Sequence, residues 1–399
     1  MRDVCSHAIV DCLQGTGVQA RNFVALFLFS IVLSATIQAW AAEPVLIGDW
    51  PVKPKNDFIR QGLPMGFFPN LAIAPDGKRI AAATSQAEFL EVDVKSGVEL
   101  KALSRPKDFG SAGRYETQLA YSANGNVLAA LTFELNEDGL ALPGKSRLRI
   151  WEQGVPRVIE VSSKTTDRRP LVAISRDGQH VAAGAEDTES IKVWSTKDGR
   201  AELEVVPDSS PRRSKLRIQH WLWLPGGQEL LLYCVDRRRA QMQFIVCPMD
   251  PKASRRVLGQ TVFQPDAMSL SEDGKMLITV GGAARGQEQL QFWDVAKGGE
   301  MRTPTLLSDR PLSDAALLAS DYNGILAALT NERREILIFD LDRGRQLARI
   351  ELPQREPAVS IALDCDGKYL SACVSPQRVK TWDLSQVLPG SESHEPTAK

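Results

Sequence analysis

The sequence predicts an all-β fold, a seven-bladed β-propeller of four-stranded antiparallel blades whose last blade is closed by an N-terminal strand. Three observations carry this expectation. A turn dipeptide recurs seven times, an aromatic or apolar slot follows it at a similar distance, and a spare apolar segment precedes the first repeat.

The dipeptides are Asp76-Gly77, Asn124-Gly125, Asp177-Gly178, Gly226-Gly227, Asp273-Gly274, Asn323-Gly324 and Asp366-Gly367, with glycine-to-glycine spacings of 48, 53, 49, 47, 50 and 43 residues. They are the residues that a two-residue hairpin turn with positive φ demands, and each is flanked by strand-like apolar runs. A repeat of this period that cannot bury its own apolar face must stack on its neighbours.

The slot closes the third apolar segment of each unit. It holds Val92, Trp151, Trp194, Trp293, Phe339 and Trp382, with the fourth unit the most degenerate and ending at Cys247. Most units then turn again, at Gly97, Gly154, Gly199, Gly298 and Gly344, before a fourth apolar segment. Four short strands in about 40–50 residues make one propeller blade.

On these residues the chain resembles the WD-repeat family over residues 43–388. Its best unit runs from Val172 to Gly199, and true Trp-Asp pairs stand at Trp293-Asp294 and Trp382-Asp383. The repeats are degenerate: the Gly-His that usually opens a unit is absent, and the Asp before the third strand is clear only at Asp187. The resemblance implies the fold and a docking role of the kind such propellers generally play. It transfers no specific partner.

After Trp382 the chain reaches only Leu388 before Pro389-Gly390 and a polar tail, residues 389–399, so the last unit has three strands. Val45-Leu46-Ile47 belongs to no other unit, and pairing it there would remove open sheet edges.

Residues 1–42 differ in kind. Arg21-Asn22 precede an apolar run from Phe23 to Ile37, and Ala39-Trp40-Ala41 offers small residues for signal cleavage. The run is shorter than the roughly 20 residues that span a bilayer. A cleaved signal peptide, placing the protein in the periplasm or outside the cell, is the first expectation. An uncleaved anchor with the propeller outside the cytoplasm is the alternative, and the only expected membrane contact. Residues 1–20 form a long, weakly charged lead-in, which a start codon assigned too far upstream would explain.

Of the six cysteines, Cys5 and Cys12 precede the cleavage point, leaving Cys234, Cys247, Cys365 and Cys373. Export permits disulfides. Cys234 and Cys247 fall on neighbouring strands of one hairpin, so a bridge between them and two buried free thiols are both open.

Catalytic chemistry has little purchase. Apart from His7 and His394 the histidines are His180 and His220, without clustered Cys or carboxylate partners at metal-ligand spacing. Asp364-Cys365-Asp366-Gly367 and Asp321-Tyr322-Asn323-Gly324 start like calcium loops, but both occupy the recurring turn and lack the terminal Glu. Ser104-Arg105-Pro106-Lys107 matches S-x-x-K, yet Pro106 opposes the helical turn that chemistry needs. The expectation is a non-catalytic interaction scaffold with no cofactor and no metal. A propeller enzyme, a hydrolase, lactonase or quinoprotein-like oxidoreductase with its site at the central channel, is the alternative and rests on fold analogy.

With 48 Lys+Arg against 49 Asp+Glu, the formal charge is −1, so no global field points to nucleic acid or to a membrane surface. One local asymmetry stands out. Arg212, Arg213, Lys215 and Arg217 lie in or just after the connection leading into the fourth unit, and Arg237, Arg238 and Arg239 lie in its second-to-third loop. In a propeller both belong to one face. They form the candidate interaction patch for an acidic protein partner on a monomeric chain, against the ordinary reading of a solvated charged loop. Trp221 and Trp223, two apart on the following strand, are expected to pack between blades.

Overall fold

The computed structural model describes residues 43–51, 70–83, 87, 89–103, 114–152, 155–161, 169–207, 216–271, 273–282, 289–301, 305–306, 318–320, 325–329, 335–340, 345–354, 356, 358–364, 367–374 and 378–388. Residues 1–43 and 44–399 are separate units, and all that follows concerns the second. It is all-β: among the described residues there is no helix, and every strand lies in a four-stranded antiparallel sheet, as in propeller-like folds.

Sheet one holds β2 (Asn70–Ile73), β3 (Arg79–Ala83), β4 (Phe89–Asp93) and β5 (Glu99–Ala102). Sheet two holds β6 (Arg114–Tyr121), β7 (Val127–Leu135), β8 (Ala141–Glu152) and β9 (Val155–Val161). Sheet three is β10 (Pro170–Ile174), β11 (His180–Ala185), β12 (Ile191–Ser195) and β13 (Ala201–Val205). Sheet four is β14 (Leu216–Trp223), β15 (Glu229–Asp236), β16 (Gln241–Pro248) and β17 (Arg256–Thr261). Sheet five is β18 (Pro265–Leu270), β19 (Met276–Gly281), β20 (Gln289–Asp294) and β21 (Thr305–Leu306). Sheet six is β22 (Leu318–Ser320), β23 (Ile325–Leu329), β24 (Glu335–Asp340) and β25 (Arg345–Glu351). Sheet seven takes three late strands, β26 (Ala358–Leu363), β27 (Tyr369–Val374) and β28 (Arg378–Asp383), with β1 (Val45–Pro51) outside them in the order β1-β28-β27-β26.

Five of the recurring dipeptides, and Gly367 of a sixth, lie in first-to-second-strand connections, with one correction to their geometry; Asn323-Gly324 and Asp366 lie outside the described residues. In sheet one Ala74 N–H donates to Arg79 O and Gly77 N–H to Ala74 O, so residues 75–78 make the connection and only Gly77 has positive φ, at 63°. The same pair of bonds recurs at Ser122/Gly125, Ser175/Gly178, Leu224/Gly227, Ser271/Gly274 and Asp364/Gly367. These are four-residue connections built on a β-turn, not two-residue ones. The Asp or Asn keeps negative φ because its side chain serves the turn: Asp76, Asn124, Asp177 and Asp273 each accept the backbone N–H two residues on.

Register explains the third-strand slot. Val92, Trp151, Trp194, Cys247, Trp293, Phe339 and Trp382 each stand opposite an Ile, Leu or Val of the second strand: Ile80, Leu128, Val181, Leu230, Leu277, Leu326 and Leu370. All seven slot residues are buried. Trp151 packs into a core with sheet one, its ring 5.2 Å from Phe89, and Trp293 packs on sheet four, 5.0 Å from Phe244. Val92 shares a core with Trp50, Ala362 and Val379 of sheet seven. Full burial of a side chain of this size removes enough apolar area for about 1.5–3 kcal/mol each.

Polar stitches run the same way. Arg157 of β9 donates to Thr196 O, Arg256 of β17 to Val295 O, and Trp50 Nε1 of β1 to Val94 O. Thr196, Val295 and Val94 each directly follow a third strand of the next sheet in the order of packing.

Cys234 and Cys247 do lie on adjacent strands, but they do not face each other: Cys234 stands opposite Gln243, and Cys247 opposite Leu230. Both are buried free thiols, as is Cys373; burial pushes Cys247 up to about 11 and Cys373 to about 12. Cys365 lies outside the described residues.

Candidate interaction face

The second-to-third-strand connections, and those joining one sheet to the next, share one end of the sheets, the loop face; the other end is the turn face. Arg217 is the second residue of β14 and pairs with Val235, while Arg237–Arg239 directly follow β15, whose last residue pairs with Leu216. Those four arginines therefore meet at one end of sheet four. Arg212, Arg213 and Lys215 lie outside the described residues.

Sheet three reaches across to this cluster, a feature no local motif announces. Its second-to-third connection docks on β14 by two backbone bonds, Thr188 N–H to Ile218 O at 3.1 Å and Ile218 N–H to Thr188 O at 2.7 Å. Asp187 ahead of it has φ of 56° and is 5% exposed. A non-glycine residue at positive φ costs free energy and persists only when its surroundings hold it. Here Gln219 Nε2 donates to Asp187 Oδ1 at 2.5 Å, and the Arg237 guanidinium lies 3.2 Å from Oδ2. Glu189 then pairs with Arg217 at 3.2 Å.

The two ion pairs differ in weight. Asp187 is fixed on two sides, so Arg237 is pinned by a nearly buried carboxylate. Glu189 has a side chain 75% exposed, and an exposed pair of this kind contributes about 0–1 kcal/mol. Arg239 sits 3.9 Å from Asp236, whose Oδ1 also accepts the N–H groups of Arg238 and Arg239. Among the described residues no carboxylate is in ion-pair range of the exposed Arg238 side chain.

Glu116 on β6, Arg169 just ahead of β10 and Glu186 just after β11 interact electrostatically at the loop-face ends of sheets two and three. Burial raises the Glu116 carboxyl, Arg169 opposes the shift, and Glu186 adds to it. Glu186 N–H donates to Arg169 O, and Gln118 Oε1 accepts the Val172 N–H across the two sheets. Sequence reading did not bring these residues together, because Glu116 lies 53 and 70 residues from Arg169 and Glu186, and Gln118 lies 54 from Val172.

The remaining candidates are structural. His180 Nδ1 lies 2.7 Å from Glu202 and its ring stacks on Trp223, with centroids 5.9 Å apart. Trp221 and Trp223 are buried in a core shared by sheets three and four, and Trp223 Nε1 donates to Ala173 O. His220 Nδ1 is buried with no hydrogen-bond partner, and burial lowers its pKa to about 4. At the calcium-like run from Asp364, Gly367 N–H donates to the Asp364 carbonyl and Tyr369 N–H to its carboxylate, making a turn. The run 321–324 and Ser104–Lys107 lie outside the described residues. Among the described residues no group of three or more His, Cys, Asp or Glu converges as metal ligands would.

Comparison with protein-family models and with curated proteins finds no match for this chain.

Proposed function

We infer that the seven sheets are the blades of a closed WD-like propeller, and that the protein is a non-catalytic docking platform outside the cytoplasm. The packing supports closure: sheet one rests on sheet seven through Val92 and Trp50, as sheet two rests on sheet one through Trp151. β1, the first strand, supplies the fourth strand of sheet seven by pairing with β28, the last. The apolar run at Phe23–Ile37 with its small-residue site supports export.

One observation carries the docking role: exposed arginines gather at the loop-face end of sheet four, where Asp187 and Gln219 hold the surrounding backbone. A rigid scaffold presenting charged loop groups is the usual physical basis of a binding face. The test places a photo-crosslinking amino acid at Arg238 or at turn-face Lys275 in cells. Adducts to a protein partner are expected from position 238 and not from 275. Adducts from neither, or only from 275, would remove the loop face as the docking surface.

A second reading, a propeller enzyme, is favoured only by Glu116, Arg169 and Glu186. Turnover in a hydrolase and lactonase substrate screen, abolished by Glu116→Gln, would establish it in place of the scaffold.

A further inference from the structure

We propose that the patch on sheet four takes an extended acidic protein segment, and that Glu189 occupies part of that site as an internal competitor. The proposal rests on the docking reading and gives the partner its chemistry.

Carboxylates are the groups these arginines already take: Asp187 on Arg237, Glu189 on Arg217 and Asp236 beside Arg239. The loop does not form an anion cradle of free backbone N–H groups, because Asp236 Oδ1 already accepts those of Arg238 and Arg239. A compact phosphate would want such a nest. What remains is a row of separate guanidinium groups, suited to separate carboxylates. Arg237–Arg239 stand in the turn after β15 and Arg217 one strand over on β14, so the guanidinium groups are presented from two separate segments of the loop face.

The ion pairs divide the labour. Arg237 is held by Asp187 and serves as a fixed post. Among the described residues Arg217 is held by the exposed Glu189 alone, which an incoming carboxylate replaces at small cost, while Arg238 gains a partner and Arg239, 3.9 Å from Asp236, gains a closer one. Glu189 therefore weakens binding twice, by covering Arg217 and by repelling the ligand.

The experiment titrates the purified protein with a fluorescent deca-glutamate peptide and, separately, with a sulfated oligosaccharide of similar charge. The peptide is expected to bind, at least about tenfold more weakly to Arg238→Glu/Arg239→Glu, and about threefold more tightly to Glu189→Gln. Affinity unchanged or weakened in Glu189→Gln overturns the competitor role. No peptide binding, or tighter binding of the oligosaccharide, overturns the acidic-segment assignment. Crosslinks from position 238 alongside any of these failures leave the docking reading standing without this one.

Discussion

The two ends of the sheets are built on different plans. At the turn face one short motif is used again and again, with the same two backbone bonds in six sheets and a positive-φ glycine in each. At the loop face each described connection is its own. Sheet two extends a long hairpin through Asn136–Leu140, sheet three docks Thr188 on its neighbour, and sheet four carries three consecutive arginines. A repeated solution indicates a shared structural demand, because each turn must clear the one before it. Divergent connections on a common frame are where a repeat protein is free to specialise.

The largest expected effect tests the frame on which both ends depend. Deleting residues 44–50 removes buried Trp50 and uncovers the β28 edge, so the melting temperature should fall on the order of 10 °C. An unchanged melt would show that β1 does not complete the last sheet.

Next in size is a matched pair of glycines. At Gly77, with φ of 63°, an added Cβ would come within 2.1 Å of the Tyr369 ring. Strain and overlap together should cost about 2–4 kcal/mol for Gly77→Ala. At Gly139 on the loop face, φ is 82° but nothing lies within 4 Å, so Gly139→Ala should cost only about 1–2 kcal/mol. Equal losses by denaturant unfolding would erase the distinction between a packed and an open end.

A smaller, pH-dependent effect belongs to β14, which carries the loop-face contacts. His220 has a folded pKa near 4 against about 6.5 when unfolded, so the folded state disfavours its protonation. Stability from this group is intact above about pH 6.5 and is lost as pH falls towards 4, by at most about 3 kcal/mol. His220→Gln should flatten that part of the stability curve relative to the parent protein. Parallel curves would mean that the ring is not neutral and buried in the folded state.

The same contrast explains what could be read from sequence. The turn glycines and the slot residues are legible because each does its work within a few residues, or against a strand at constant offset, so spacing reports structure. Even Cys247 could be placed, since register rather than residue type defines its slot. The contacts of Asp187 with Gln219 and Arg237 join residues 32 and 50 apart across two sheets, and composition carries no trace of them. Asp187 was visible as the one clear Asp before a third strand, but not that it turns to hold the next sheet. The cysteine hairpin shows the opposite limit: adjacent strands were readable, but the offset separating Cys234 from Cys247 depends on the exact register. The described turn dipeptides were placed correctly, yet their type was not, because Asp-Gly suits both a two-residue turn and a longer one whose Asp caps the backbone.

The central claim is that the loop face binds while the turn face serves the fold. Its most direct measurement compares pull-downs from the envelope fraction using the parent protein, Arg238→Glu/Arg239→Glu on the loop face, and Lys78→Glu/Lys275→Glu on the turn face. All three are expected to remain folded, with one or more proteins lost from the loop-face variant and retained by the turn-face variant. An identical set of captured proteins across all three, or a loss confined to the turn-face variant, would contradict it.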